Sequence, residues 1–143
     1  MKNFKIQSGS ICFIDTNIWL YSFIQSQDME RTEIARGIIK EHEIAISIQI
    51  INEMCVNLIK KVNFSEGKIQ NLIKSLYRKY TVFELSWDIL LEASKIRTNH
   101  NFSFWDSIVA ASAIDCDADY LISEDMQNGF NLENNLTIIN PFI

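Results

Sequence analysis

Asp15, Asp106 and Asp125 stand at the edges of apolar segments, and their chemistry depends on whether the fold gathers them. Asp15 interrupts the run "ICFIDTNIWLYSF" once, and Thr16 and Asn17 follow it before the apolar residues resume. Asp106 heads the apolar segment in "SFWDSIVAASAI", and Asp125 comes after "YLI" by way of Ser123 and Glu124. Each has an ordinary explanation. An aspartate after a strand commonly caps a helix or makes a turn. Ser103 to Asp106 fits a capping box, with the acid near the positive end of a helix. Asp125 would begin a turn that Asn128-Gly129 completes. Brought into one cleft, however, such acids repel and raise one another's pKa unless a cation compensates. A cluster of hard oxygen ligands suits Mg²⁺ or Mn²⁺, which keep several waters and bridge to substrate phosphates.

The elements that would place these acids alternate along the chain. Strand-like runs are "ICFI", "EIAIS" (Glu43 to Ser47), "TVFEL" (Thr81 to Leu85), "YLI" (Tyr120 to Ile122) and "LTIIN" (Leu136 to Asn140). Helical patterns lie between them: a short one after Asn17, one from about Met29 to Lys40, one from Gln49 to Lys60 and one from Ser65 to Lys79. Ile50, Ile51, Met54, Cys55, Leu58 and Ile59 form an amphipathic stripe on the third of these. Ser86 reads as the N-cap of a further helix, and the segment opened by Asp106 is apolar nearly all round, as a buried helix is. Strands alternating with helices imply an α/β fold with a parallel sheet covered on both faces. In such sheets ligands bind outside the carboxyl ends of the strands, which is where Asp15 and Asp125 fall.

Composition bounds the rest. The 143 residues suit one domain, 1–143, with no repeat, low-complexity stretch or composition break. One proline and four glycines argue against a linker or a disordered tail. No window approaches the roughly 18 uninterrupted apolar residues of a membrane span. The polar start "MKNFKIQSGS" gives no signal-peptide pattern, so a cytoplasmic location is expected. Cys12, Cys55 and Cys116 are scattered among apolar residues and read as buried small hydrophobes. His42 and His100 read as surface residues. The net charge of −5 is the wrong sign for a protein that binds nucleic acid by phosphate neutralisation alone, so a metal would have to supply the positive field.

With these motifs in order, the chain resembles the PIN-domain ribonucleases, and in particular the VapC-like toxins of type II toxin–antitoxin systems. "FIDTNIWLYSF" is similar to the family's opening motif, "SFWDSIVAASA" to its central one, and "ADYLISEDMQNGF" with "IINPF" to its C-terminal signature. The resemblance implies a three-layer α/β/α sandwich with a mainly parallel five-stranded sheet in the order 3-2-1-4-5. It implies a catalytic quartet of Asp15, Glu53, Asp106 and Asp125, with Asp15, Asp106 and Asp125 as ligands of Mg²⁺ or Mn²⁺. Glu53 would be a further ligand or orient the attacking water. Periodicity alone places Glu53 opposite the apolar stripe of its helix, as a solvated acid. Thr16, Asn17, Ser123 and Glu124 would support the acids from behind, Glu124 ranking below Asp125. The activity implied is metal-dependent hydrolysis of RNA phosphodiester bonds. The partners implied are an RNA substrate, a small antitoxin protein that fills the active-site groove, and a second copy of the chain in a homodimer.

Trp19, Tyr21 and Phe23 are candidates for the groove or the dimer surface, with core packing as the ordinary alternative. Lys60, Lys61, Lys68, Lys74, Arg78 and Lys79 form either a positive face for RNA or a solvated helix surface. Two other functions fit less of the sequence. One is a PIN-domain nuclease of RNA processing with no antitoxin. The other is a phosphoacceptor signalling domain, which needs an acidic pair after its first strand and a lysine after its last; here Thr16-Asn17 and "NPFI" stand in those places.

Overall fold

The computed structural model describes residues 6–24, 28–133 and 135–143. Its elements in chain order are β1 (Ile11–Ile14), α1 (Thr16–Phe23), α2 (Met29–Glu41), β2 (Glu43–Ser47), α3 (Ile48–Val62), α4 (Glu66–Lys79), β3 (Thr81–Phe83), α5 (Trp87–Asn99), α6 (Phe104–Asp115), β4 (Tyr120–Ile122), β5 (Asn131–Leu132) and β6 (Leu136–Ile139). The strands form one sheet in the order β3-β2-β1-β4-β6-β5, parallel except for the β5–β6 pair. The expected order is therefore present, with β6 as the fifth strand of the parallel set. The addition is β5, a two-residue strand too short to show an alternating pattern, which follows the Asn128-Gly129 turn and pairs antiparallel with β6. Gly129 takes a left-handed φ of +83°, open to glycine without a Cβ penalty.

β1 is central. It pairs with β2 through Cys12↔Ile44 and with β4 through Phe13↔Leu121, and the full burial of the successive residues Cys12, Phe13 and Ile14 means that both its faces are covered. Cys12, Phe13, Ile14, Ile46, Leu121 and Ile122 have almost no exposure, and each large side chain of this kind contributes about 1.5–3 kcal/mol by leaving water. The chain leaves β1 towards β2 on one side and returns as β4 on the other. The carboxyl ends of β1 and β4 thus flank a topological switch point, the usual place for a ligand crevice in an open α/β sheet.

The helices begin where the sequence offers a cap. Ser47, Ser65, Ser86 and Ser103 each accept a hydrogen bond from a backbone N–H of the first turn, and so does Asp28. α6 is buried from Ser107 to Ala113, as its all-round apolar sequence requires. Several expectations need correction. β3 stops at Phe83 and β6 at Ile139, each short of the strand-like run, because Glu84-Leu85 and Asn140 lie beyond the paired register. α1 begins at Thr16, since Asp15 caps it. His42 and His100 are half-buried, and His100 packs its ring edge-on against Phe102 and Phe130. Cys55 is half-buried, unlike Cys12 and Cys116. Among α1's aromatics, Trp19 belongs to the core at 2% exposure, Tyr21 is half-buried, and Phe23 is exposed.

Candidate active site

Asp15 extends the sheet by one more bond: its N–H donates to the Ile122 carbonyl at 2.9 Å, so its backbone is fixed by β4. The residue is only 9% exposed. Its side chain is held on both oxygens, Oδ1 by the Thr16 N–H at 2.8 Å and Oδ2 by the Ser123 hydroxyl at 2.8 Å. Capping and site-building are one arrangement here, because the carboxylate that caps α1 also feels the charges of Glu53 and Asp106.

Glu53 is half-buried rather than solvated. Its Oε2 accepts from the Thr16 hydroxyl at 2.6 Å, and Gln49 on the previous turn donates to Oε1 at 3.3 Å. Although it lies away from the stripe that packs on the sheet, α1 rests against that flank of α3. Periodicity along one helix carries no information about such a neighbour. Thr16 therefore joins two acids, its backbone serving Asp15 and its hydroxyl serving Glu53.

Asp125 is exposed and sits in the loop after β4. Its Oδ2 accepts from the Asn17 amide at 2.7 Å, and its backbone N–H donates to the Ser123 Oγ at 3.3 Å. Ser123, with no exposure, thus bridges Asp15 and the Asp125 backbone. Asp106 occupies the third position of α6, where its N–H donates to Ser103 Oγ at 3.1 Å. The helix-cap explanation holds for it, yet the half-buried carboxylate also lies close enough to act on Asp15. The Glu124 carboxylate pairs with Arg31 and accepts from the Tyr21 hydroxyl at 3.1 Å, one turn of α1 from the Asn17 that holds Asp125.

The electrostatics follow. Burial pushes the Asp15 carboxyl up from 3.8 to about 6; the Ser123 and Thr16 hydrogen bonds pull against this, and the charges of Glu53 and Asp106 add to it. Among the described residues, no basic side chain pairs with Asp15, Glu53, Asp106 or Asp125. Nor do three or more described His, Cys, Asp or Glu side chains stand close enough together to cage an ion by themselves. The donor set still fits a divalent cation of the magnesium kind. Such ions take one or two carboxylates and fill the remaining positions with water and phosphate oxygens. A buried, uncompensated carboxylate with two further acids pressing on it is the setting a cation would relieve.

The fold and the site together define an α/β domain in which Asp15, at the switch point, is acted on by the charges of Glu53 and Asp106. The PIN domain family model matches residues 12–127, and the chain belongs to that family. No curated protein sequence matches it significantly. Solved structures similar in fold include a toxin–antitoxin complex from Klebsiella pneumoniae, at TM-score 0.65 and 17% identity, covering 92% of this chain and 98% of that one. VapC20 of Mycobacterium tuberculosis, a Sarcin-Ricin loop cleaving toxin, matches at TM-score 0.63 and 16% identity, over 77% of this chain and 86% of that one. VapBC2 of Rickettsia felis, bound to a promoter DNA fragment, matches at TM-score 0.62 and 18% identity, over 91% and 99%. Family membership sets aside the phosphoacceptor alternative, and Pro141-Phe142 follow β6 where that domain would need a lysine.

Proposed function

We propose that the protein is a metal-dependent endoribonuclease, the toxin of a toxin–antitoxin pair. The observation that carries this is the Asp15 carboxyl, buried, pushed to about 6 and joined by hydrogen bonds through Thr16 to Glu53 and through Ser123 to the Asp125 loop. Asp15 and Asp106, with Asp125 at the rim, would hold Mg²⁺ or Mn²⁺. When bound, the ion would lower the pKa of water and stabilise charge on the scissile phosphate. The protein's own part is to hold the acids. Thr16 and Ser123 aim the Asp15 oxygens, Asn17 steadies Asp125, and Glu53 stands ready to accept a proton or orient the attacking water.

Lys61 brings a positive charge to a hollow of about 280 Å³ that it lines with Asn17, Leu20, Tyr21, Ile24 and Glu124, next to the Asn17–Asp125 hydrogen bond, and this supports RNA as substrate. Lys60, Lys68, Lys74, Arg78 and Lys79 are exposed on α3 and α4, as a positive face would require. An antitoxin partner is supported by the toxin–antitoxin complexes among the structural neighbours. A hollow of about 290 Å³ with Phe23, Leu72 and Tyr80 in its wall and Arg36, Lys40 and Lys79 around it offers an apolar, basic seat for one. The homodimer and the cytoplasmic location remain parts of the proposal that rest on the sequence resemblance; among the described residues no helix is long and apolar enough to cross a membrane.

The test is to express the wild type and Asp15→Asn in a bacterial host and to incubate the purified proteins with RNA in Mg²⁺, Mn²⁺ or EDTA. Growth arrest and metal-dependent cleavage by the wild type alone are expected. A harmless wild type that cuts no RNA in either metal would sink the proposal. Cleavage without growth arrest would favour the RNA-processing alternative.

A further inference from the structure

Arg31 lies outside the acidic crevice, yet its contacts lead back to it. From the first turn of α2 its guanidinium pairs with Glu124 in the loop after β4 and, through Nε, with Asp28 at 3.0 Å. Nη1 donates to the Tyr21 hydroxyl at 3.2 Å, and that hydroxyl donates to Glu124. The plane of the guanidinium covers the Phe142 ring at 4.7 Å, and Phe142 in turn meets Tyr21 edge-on at 5.2 Å. The same loop is tied from the C-terminal side. Asn140 donates through its amide to the Glu124 carbonyl at 3.1 Å and through its backbone N–H to Asn128 Oδ1 at 2.9 Å. Its own Oδ1 accepts from the Phe142 N–H at 3.0 Å, which fixes the ring beneath Arg31. The "NPF" of the C-terminus and the Glu124 of "SED" therefore belong to one assembly.

We propose that Arg31 is a positioning residue: seated over Phe142 and pairing with Glu124 beside Tyr21, it sets the loop that carries Asp125. Glu124 and Asp125 are adjacent and meet Tyr21 and Asn17, which lie one turn apart on α1, so a loop fixed at Glu124 presents Asp125 to Asn17. An isolated surface ion pair contributes little. This one is partly shielded, with side-chain exposures of 35% for Arg31 and 22% for Glu124, and shares its charge with an aromatic stack and a phenol. The planar fork of arginine serves Glu124, Tyr21 and Asp28 at once, which a lysine's point charge does not.

The inference rests on the proposed metal site only for its consequence, so the experiment separates the two. Hydrogen exchange is followed in a peptide spanning residues 123–130 and in a control peptide from β2–α3, for the wild type, Arg31→Ala, Arg31→Lys and the isosteric Glu124→Gln. Mn²⁺ affinity and RNA cleavage are measured on the same proteins. Exchange in 123–130 should rise roughly tenfold or more in Arg31→Ala and Glu124→Gln with the control unchanged, and Arg31→Lys should recover part of the loss. Mn²⁺ affinity should fall by about tenfold, the lower end of the range for residues that orient ligands, and no further than in Asp125→Asn. The double variant should be no worse than the worse single one, as for partners in one interaction. Unchanged exchange in 123–130, or equal loosening of both peptides, would overturn the clasp. A wild type that binds no Mn²⁺ and cuts no RNA would instead overturn the metal site, while the exchange comparison still decides the clasp.

Discussion

Asp15 and Asp125 are carboxylates of one crevice held in opposite ways. Asp15 is built into the sheet, with its backbone paired to Ile122, both oxygens occupied and hardly any solvent. Asp125 is exposed on a loop, with its carboxylate on Asn17 and its loop tied by Asn140, Asn128 and the Arg31–Glu124 pair. The first therefore carries a permanent electrostatic cost and the second a dependence on distant side chains. In the proposed site a cation would relieve the cost at Asp15, and Asp125 would adjust to the phosphate and water that accompany the ion.

Substitutions should sharpen this contrast. Asp15→Asn should lower RNA cleavage most, on the order of 10³-fold in kcat, because removing a principal ligand forfeits several kcal/mol of transition-state stabilisation. The same variant should make the metal-free protein more stable. The folded-state pKa of about 6 lies above the ordinary 3.8, so the folded form holds its proton more tightly. Stability from Asp15 is then full below pH 4 and is lost as the pH rises through 6. At pH 7 the deficit is roughly 3 kcal/mol, about two pKa units at 1.36 kcal/mol each. Thermal unfolding in EDTA across pH 4–8 would show it: the wild type's Tm should fall over that window relative to Asp15→Asn. Equal slopes would mean that the carboxylate is not strained.

Ser123→Ala touches both halves. It removes a donor that holds the Asp15 pKa down and the acceptor for the Asp125 N–H. The acid limb of the pH–rate profile should move to higher pH, with kcat lower by about 10–100-fold. Asp125→Asn is expected to be milder, since the Asn17 contact is exposed and the loop stays clasped. Its effect should be mainly a higher metal requirement, by about tenfold, read from a Mn²⁺ titration of cleavage. If Asp125→Asn proved as damaging as Asp15→Asn, the distinction between the two acids would fail.

The same contrast explains what was legible in the sequence. β1, β2 and β4 end where their apolar runs end, because a central parallel strand is buried on both faces and reads as a continuous hydrophobic run. Asp15 and Asp125 were visible as acids at those ends, and Asp106 as an acid behind a serine cap. Glu53 was found only by resemblance, since its partner Thr16 is on another helix. The contacts of Glu124 were hidden for the same reason: nothing near it in sequence announces that Arg31 and Tyr21 will meet it. β5 was missed because two residues carry no period. Local signals locate acids at strand ends; contacts between helices decide which of them face the crevice.

The state of Asp15 is the point on which everything else turns. Its side-chain carboxyl can be titrated directly by carbon NMR, without and with saturating Mg²⁺. A midpoint near 6 is expected without the ion, falling well below the ordinary carboxylate range when Mg²⁺ is added. A midpoint near 4 that Mg²⁺ leaves unmoved would contradict both the strained carboxylate and the cation site built around it.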